Sequence, residues 1–205
     1  MIISCRSYFS RKAVVKRKLK KAKKTLISLC KNEEIVKVVG RVEIVGEPLI
    51  APLSGRKCAY YHVLVEEKQS HGKSSHWHTL IEEEITTKFI LSEKTGTALI
   101  DTSHVKSYLV QDAHYESGFL QDAHNHLEHY LIKHGHASTG LLGFNKTIRY
   151  KEGILEEQEP VAVTGLGRWV DGKDKDLPGK YKKVLIIQSY SGEPVYLSDD
   201  PDTLT

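Results

Sequence analysis

Apolar and polar residues alternate with a period of two from about residue 36 of the chain. Val36, Val38, Val42 and Ile44 fall on one side of an extended backbone, and Lys37, Arg41 and Glu43 on the other. That is the signature of a half-buried strand. A second strand carries Cys58, Tyr60, Tyr61, Val63 and Val65. Between the two lies a loop built on Gly46, Pro48, Pro52, Ser54 and Gly55, residues whose backbone limits set turns. The same reading places strands at about 35–45, 57–68, 76–85, 87–92, 97–101 and 104–111, and again at about 147–156, 160–169, 183–189 and 194–198. Ser70 to Ser75 is predicted as the tip of a long hairpin, His136 to Asn145 as a loop, and Asp171 to Lys180 as a charged hairpin loop.

Two segments break the period of two. In residues 118–134, Ala123, Leu127, Tyr130 and Leu131 fall at helical spacing, with Gly135 placed to end the helix. In residues 11–31, Val15, Leu19, Ala22, Leu26 and Leu29 form a narrow apolar stripe on an otherwise basic helix. Many short strands with one helical insertion predict a mainly β (α+β) fold. The expected architecture is an antiparallel, OB-like β-barrel or strongly curled sheet, with one inserted helix and an N-terminal basic helix. The expected organisation is a basic helix or tail at 1–32, a β-rich domain at 33–198 and a polar tail at 199–205.

Charge sharpens this picture. The net charge of +4 over 205 residues conceals 11 Lys and Arg and no acid in residues 1–32, against a balance of −7 in the rest. An acidic domain with a basic tail predicts an anionic partner for the tail. Lys16, Arg17, Lys18, Lys20, Lys21, Lys23 and Lys24 are the residues expected to meet a membrane surface as an interfacial helix. A solvated charge run and an organelle transit peptide are the other readings of the tail. No run of about 18 apolar residues occurs, so no transmembrane helix is read from the pattern.

The string Gly40–Glu67 resembles the start of the GIDE, or "beside a membrane", domain. So does the pairing of Phe89-x-Leu91 with Thr95-Gly96 and Ala98-x-Ile100-Asp101. A third match is Arg149-Tyr150-x-Glu152, followed by Glu159-Pro160-Val161 and Val163-Thr164-Gly165. The matches span roughly residues 35–198, and the outer two carry the resemblance. GIDE domains occur in mitochondrial and plastid E3 ubiquitin ligases of the MULAN type and in prokaryotic membrane proteins. The resemblance implies a part in substrate recognition and organelle organisation in ubiquitin or SUMO ligation. It also implies placement at a mitochondrial or plastid outer membrane if the source is eukaryotic. Two departures stand out. Three cysteines are too few for the RING that such ligases carry after the domain, and the last strand-like segment, Gly192–Ser198, runs into the polar Asp199–Thr205 rather than toward a membrane span.

Side-chain chemistry adds little that is catalytic. Cys58 reads as a core residue, Glu82–Glu84 as the solvated end of a strand, and Gly165-Leu166-Gly167 opens a strand rather than a phosphate-binding helix. No cofactor is expected. Eleven histidines are many for this length. His76 and His78 share a strand face and, with a helical histidine, have the ligand types of a zinc site, although exposed histidines beside a hairpin tip are the ordinary reading.

Arg149 and Glu152 fall on opposite faces of their strand and are read as pinning separate neighbours. The alternative is a recognition surface for an unidentified protein, made by Pro48, Pro52, Ser54, Arg149 and Glu152. Trp77, Trp169 and the tyrosines would suit a nucleic-acid groove on an OB-like sheet, but the acidic domain disfavours phosphate. The leading expectation is therefore a membrane-associated recognition or scaffold module. The alternatives are an E3 acting with a RING from another chain and an OB-like nucleic-acid binder.

Overall fold

The structure, a computed structural model, describes residues 4–71, 74–111, 113–116, 121–136 and 148–205, with side chains at 11–69, 74–111, 127–136 and 148–205. In chain order its elements are α1 (Ser4–Lys21), β1 (Glu34–Ile44), β2 (Leu49–Ile50), β3 (Lys57–Cys58), β4 (Tyr60–His71) and β5 (Ser74–Thr86). Then come β6 (Phe89–Glu93), β7 (Gly96–Ile100), β8 (Val105–Tyr108), β9 (Ala113–Glu116) and α2 (Gln121–Lys133). β10 (Ile148–Leu155), β11 (Pro160–Asp171), β12 (Lys183–Gln188) and β13 (Val195–Ser198) complete the chain. The fold is mainly β, with the predicted strands present to within a few residues. The loop expected at His136–Asn145 lies almost wholly outside the described residues.

Five strands close a barrel in the order β1-β6-β7-β12-β11 and back to β1. All neighbours are antiparallel except β7 and β12, which pair in parallel with Ala98 opposite Leu185. Closure is made by β11, which pairs with β1 through Val38↔Val163 and with β12 through Trp169↔Leu185. The glycines of Gly165-Leu166-Gly167 serve this crossing. A Cβ at Gly165 would stand 2.8 Å from the Gln188 carbonyl oxygen and 2.9 Å from Ile187 Cγ2, so only glycine lets the strands come this close. Val36, Val38, Val42, Phe89, Leu91, Val161, Val163, Leu185 and Ile187 fill the interior. The alternation that predicted β1 therefore has its apolar side inside the barrel. β13 and β8 extend the sheet beyond β11.

Two excursions from the barrel build a second, antiparallel sheet in the order β5-β4-β10-β9. The β4–β5 hairpin comes from the connection between β1 and β6, and β9, α2 and β10 from that between β7 and β11. One face carries Tyr61, Val63, Val65, Ile81, Tyr150 and Ile154. It is covered by Leu127, Tyr130 and Leu131 of α2 and by Ala51, Leu53 and Cys58 of the β2–β3 loop. Gly135 ends α2 with φ +76°, as its placement predicted.

The N-terminal segment differs from the helix expected at 11–31. α1 starts earlier and ends at Lys21. The chain beyond it is not helical: Thr25 N–H donates to the Lys37 carbonyl at 2.8 Å, and a 3-10 turn forms at Ile27–Leu29. The predicted stripe divides accordingly. Val15 and Leu19 are wholly buried against Tyr108, Ala162 and Tyr196 on the outside of the sheet, while Leu26 and Leu29 are exposed. Ile27 and Cys30 enter the barrel core. The Cys30 carbonyl accepts from Trp169 Nε1 at 2.9 Å, and Asn32 Oδ1 from Trp169 N–H at 2.7 Å. The segment is thus a helix seated on the barrel followed by a plug at one end of it.

Candidate recognition surface

Glu152 stands on β10 with its carboxylate turned toward the β2–β3 loop. It is wholly buried, and its oxygens accept from the N–H of Leu53 at 2.8 Å and of Ser54 at 3.0 Å. A buried carboxylate demands such donors, because an unpaired charge away from water is costly. The loop is tied at its other end by Gly55 N–H to the Ala51 carbonyl. Pro52 is half-buried within the loop and Ser54 is exposed, while Pro48, also half-buried, precedes β2. The structure therefore brings Pro52, Ser54 and Glu152 together, with Glu152 as the internal strut and the loop as the exposed part, and leaves Pro48 on the other side of β2.

Arg149 lies on the opposite face of β10. Its Nε donates to Glu66 Oε2 at 2.6 Å, and its guanidinium stacks 4.0 Å from the centre of the Trp77 ring. Lys151 reaches the same Glu66 oxygen at 3.4 Å. Arg149 and Glu152 do serve separate neighbours, and they do not share one surface. Trp77 is taken up by Arg149 and Trp169 by Cys30, so both indoles have partners within the fold.

The acidic run Glu82–Glu84 is solvated at Glu82, as its reading as a strand end predicted, but Glu83 and Glu84 are engaged by the fold. Glu83 accepts from the phenols of Tyr61 at 3.0 Å and Tyr130 at 2.9 Å, and His134 Nε2 lies 3.3 Å away. Burial pushes the Glu83 carboxyl up, but these three donors outweigh it and hold it below the usual range. Burial, with Glu83 beside them, pushes both phenols well above the ordinary tyrosine range. Glu84 accepts from Arg11, Tyr60 and Ser107. The Cys58 thiol is wholly buried and pushed up to about 11 by burial, the state of an inert core cysteine. His76 and His78 are exposed on β5, and among the described residues no three His, Cys, Asp or Glu side chains converge as metal ligands would.

The cations of α1 separate into two sets. On the docked side, Arg11 Nη2 donates to both Glu84 oxygens at 2.6 and 2.7 Å, and its Nε donates to the Ser107 carbonyl at 2.8 Å. Lys16 Nζ bridges Asp200 and Asp202, each at 2.8 Å, and Lys20 reaches Asp202 at 3.3 Å. Lys18 meets Glu193 at 2.8 Å, and the Tyr196 hydroxyl donates to the same oxygen at 2.7 Å. These contacts hold the Asp202 and Glu193 carboxyls below their ordinary range, chiefly through Lys16 and Lys18 respectively. Arg17, Lys21 and Lys23 form the outer set; they are exposed and ion-paired to no described residue. Lys24 donates to the Leu204 carbonyl at 3.2 Å while remaining exposed.

The outer set runs into a feature that the pattern of the sequence concealed. Leu26 is 45% exposed and Leu29 66%, on either side of the buried Ile27. Their spacing continued the helical stripe, so they read as part of it. Ile27 between them, with a turn too short for a helix, was the only local sign of a plug. No helix among the described residues is long and apolar enough to cross a membrane. No family model, no curated protein and no solved structure matches the chain.

Proposed function

We propose that this chain is a recognition or scaffold module that works against an anionic membrane surface. Its β2–β3 loop is offered to a protein partner, in the manner of a GIDE domain without a RING. The observation that carries the reading is the division of cations along α1 and the segment just after it. Acids of the same chain neutralise the inner side, and Arg17, Lys21 and Lys23 are left exposed, followed by the exposed Lys24 and Lys31. Each such residue near an anionic leaflet contributes about 1 kcal/mol. The motif resemblance supports the recognition half and the peripheral placement, at a mitochondrial or plastid outer membrane in a eukaryote.

Vesicle co-sedimentation of the full chain tests this. Removal of residues 1–31 is unsuitable, because Val15, Leu19, Ile27 and Cys30 would leave the cores. Arg17→Gln, Lys21→Gln and Lys23→Gln together disturb no ion pair with a described residue. They are expected to weaken binding to phosphatidylserine vesicles roughly a hundredfold. Binding that is equal on neutral vesicles, or unchanged in the triple variant, would refute the proposal. Ubiquitin transfer with no RING added is expected to be blank.

A nucleic-acid reading is favoured by one observation, the closed five-stranded barrel, since OB-like barrels often bind oligonucleotides. Salt-sensitive binding of a single-stranded oligonucleotide in place of vesicles would favour it.

A further inference from the structure

We infer that Leu26 and Leu29, held out by the 3-10 turn that plugs the barrel, are the residues that enter the bilayer, so that the barrel stands plug-end down on an anionic membrane. This rests on the membrane reading above and adds an insertion site and an orientation to it. The sequence offered a different geometry, in which α1 lies in the interface on its own apolar stripe. That geometry is closed, because Val15 and Leu19 are wholly buried on the protein itself. α1 can offer lipid its charges but not its stripe.

The turn has the build of a fixed wedge. Ile27 is buried and its N–H donates to Glu93 Oε1 at 2.8 Å, while Ser28 N–H donates to Thr95 Oγ1 at 3.2 Å. Leu29 N–H donates to the Leu26 carbonyl at 2.9 Å and Cys30 N–H to that of Ile27 at 3.1 Å. With Ile27 and Cys30 drawn into the barrel, Leu26 and Leu29 are turned outward. Both leucines therefore protrude from a backbone already ordered by four hydrogen bonds and two buried side chains, and little freedom remains to be lost on insertion.

Cations flank the pair along the chain, one of them, Lys31, paired with Glu34 at 3.6 Å. Lys23 and Lys24 precede it, Lys31 follows it, and Lys94 is exposed in the β6–β7 turn to which Ser28 is bonded. Ile35, 59% exposed, lies on the outward face of β1 two residues before Lys37, whose carbonyl holds Thr25. Protruding aliphatic side chains flanked by exposed lysines match the layered chemistry of a bilayer, with phosphate and carboxylate outside and acyl chains within. A nucleic acid would use the lysines and leave the leucines in water. This complementarity decides for lipid.

The test uses the full chain on vesicles of phosphatidylcholine, with and without phosphatidylserine, at low and high salt. Leu26→Ser with Leu29→Ser is expected to lower partition onto phosphatidylserine vesicles at least tenfold and to leave the melting temperature in place, since both residues are exposed. In a parallel variant, Leu29→Trp, the emission added over that of the parent is expected to shift to the blue on vesicles and to be quenched by brominated acyl chains. Wild-type binding that the double serine variant retains, with no blue shift from the new tryptophan, overturns the inference and leaves electrostatic membrane attachment standing. Absence of wild-type binding overturns both. Oligonucleotide binding that follows the lysines and ignores the leucines also overturns the inference.

Discussion

Glu152 shows how one side chain gives a loop its shape. Two backbone N–H groups, of Leu53 and Ser54, have this carboxylate as acceptor, and the carboxylate is wholly buried between β10 and the β2–β3 loop. Hydrogen bonds to a charged acceptor are each worth about 1.5–3 kcal/mol, and loss of the acceptor strands the donors as well. Glu152→Ala is therefore expected to lower unfolding stability by about 3 kcal/mol or more and to speed amide exchange across residues 49–58. Glu152→Gln, which keeps one acceptor oxygen, is expected to cost about half as much. Urea titration with hydrogen exchange checks both; an undisturbed loop in Glu152→Ala would show that turn chemistry alone holds it. The separate roles of Arg149 and Glu152 were legible from strand period. Their partners were not, because Glu66 and Leu53 lie 83 and 99 residues away in the chain. Lys37 misled for the same reason. Its place in the alternation reads as solvent-facing, yet it is 1% exposed and donates to the Thr205 carbonyl, 168 residues on.

At the scale of elements, strands were legible because a strand with one buried face records that burial in its own pattern, as Val36, Val38 and Val42 do. The extent and role of α1 were not. Leu26 and Leu29 prolong the helical spacing past Lys21, and only the hydrogen bond from Thr25 to Lys37 and the burial of Ile27 end the helix. Leu19 lies in a tertiary core, so Leu19→Ala is expected to cost about 2–5 kcal/mol, well above the few tenths typical of an exposed helical site. Denaturant unfolding separates the two. The acids under α1 set a pH dependence. Asp202 and Glu193 are held below their ordinary range by Lys16 and Lys18. A carboxyl depressed in the folded state contributes stability that is complete above its unfolded value, near pH 4, and is lost as pH falls through its folded value. Protection of α1 amides is therefore expected to be steady from about pH 5 to 8 and to fall on acidification below about pH 4. High salt is expected to weaken it at every pH, because these pairs are partly exposed. Protection that rose on acidification would contradict the docked arrangement.

In the molecule as a whole, the two largest cores, the barrel interior and the covered face of the second sheet, meet at a seam. Tyr60 and Leu155 are register partners and both face the barrel core, while the next pair, Tyr61 and Ile154, faces the core of the second sheet. Backbone bonds across the seam run from Ala59 N–H to Leu155 and from Thr87 N–H to Ala59, at 2.7 and 2.8 Å. Two further ties meet at Glu84 of β5: the Ser107 hydroxyl of β8 donates to it at 2.7 Å, and Arg11 grips it with Nη2 while donating to the Ser107 carbonyl with Nε, so α1 helps strap the second sheet to the extended barrel sheet. Five-stranded closure explains why the barrel itself needs no strap, whereas the four-stranded sheet has two free edges, β5 and β9, among the described residues. Arg11→Ala is expected to cost about 1–3 kcal/mol, the range for hydrogen bonds to charged groups in a partly buried pair, and to act unequally. Amides of β4, β5 and β10 should exchange from a lower free energy than those of β1, β11 and β12, where the wild type opens both in one transition. Arg11→Lys keeps the charge but loses the separate Nε donor that holds the Ser107 carbonyl, and should fall between the two. Equal loss in both sheets would mean that the seam residues alone couple the cores, and that α1 rides on the barrel without binding the halves together.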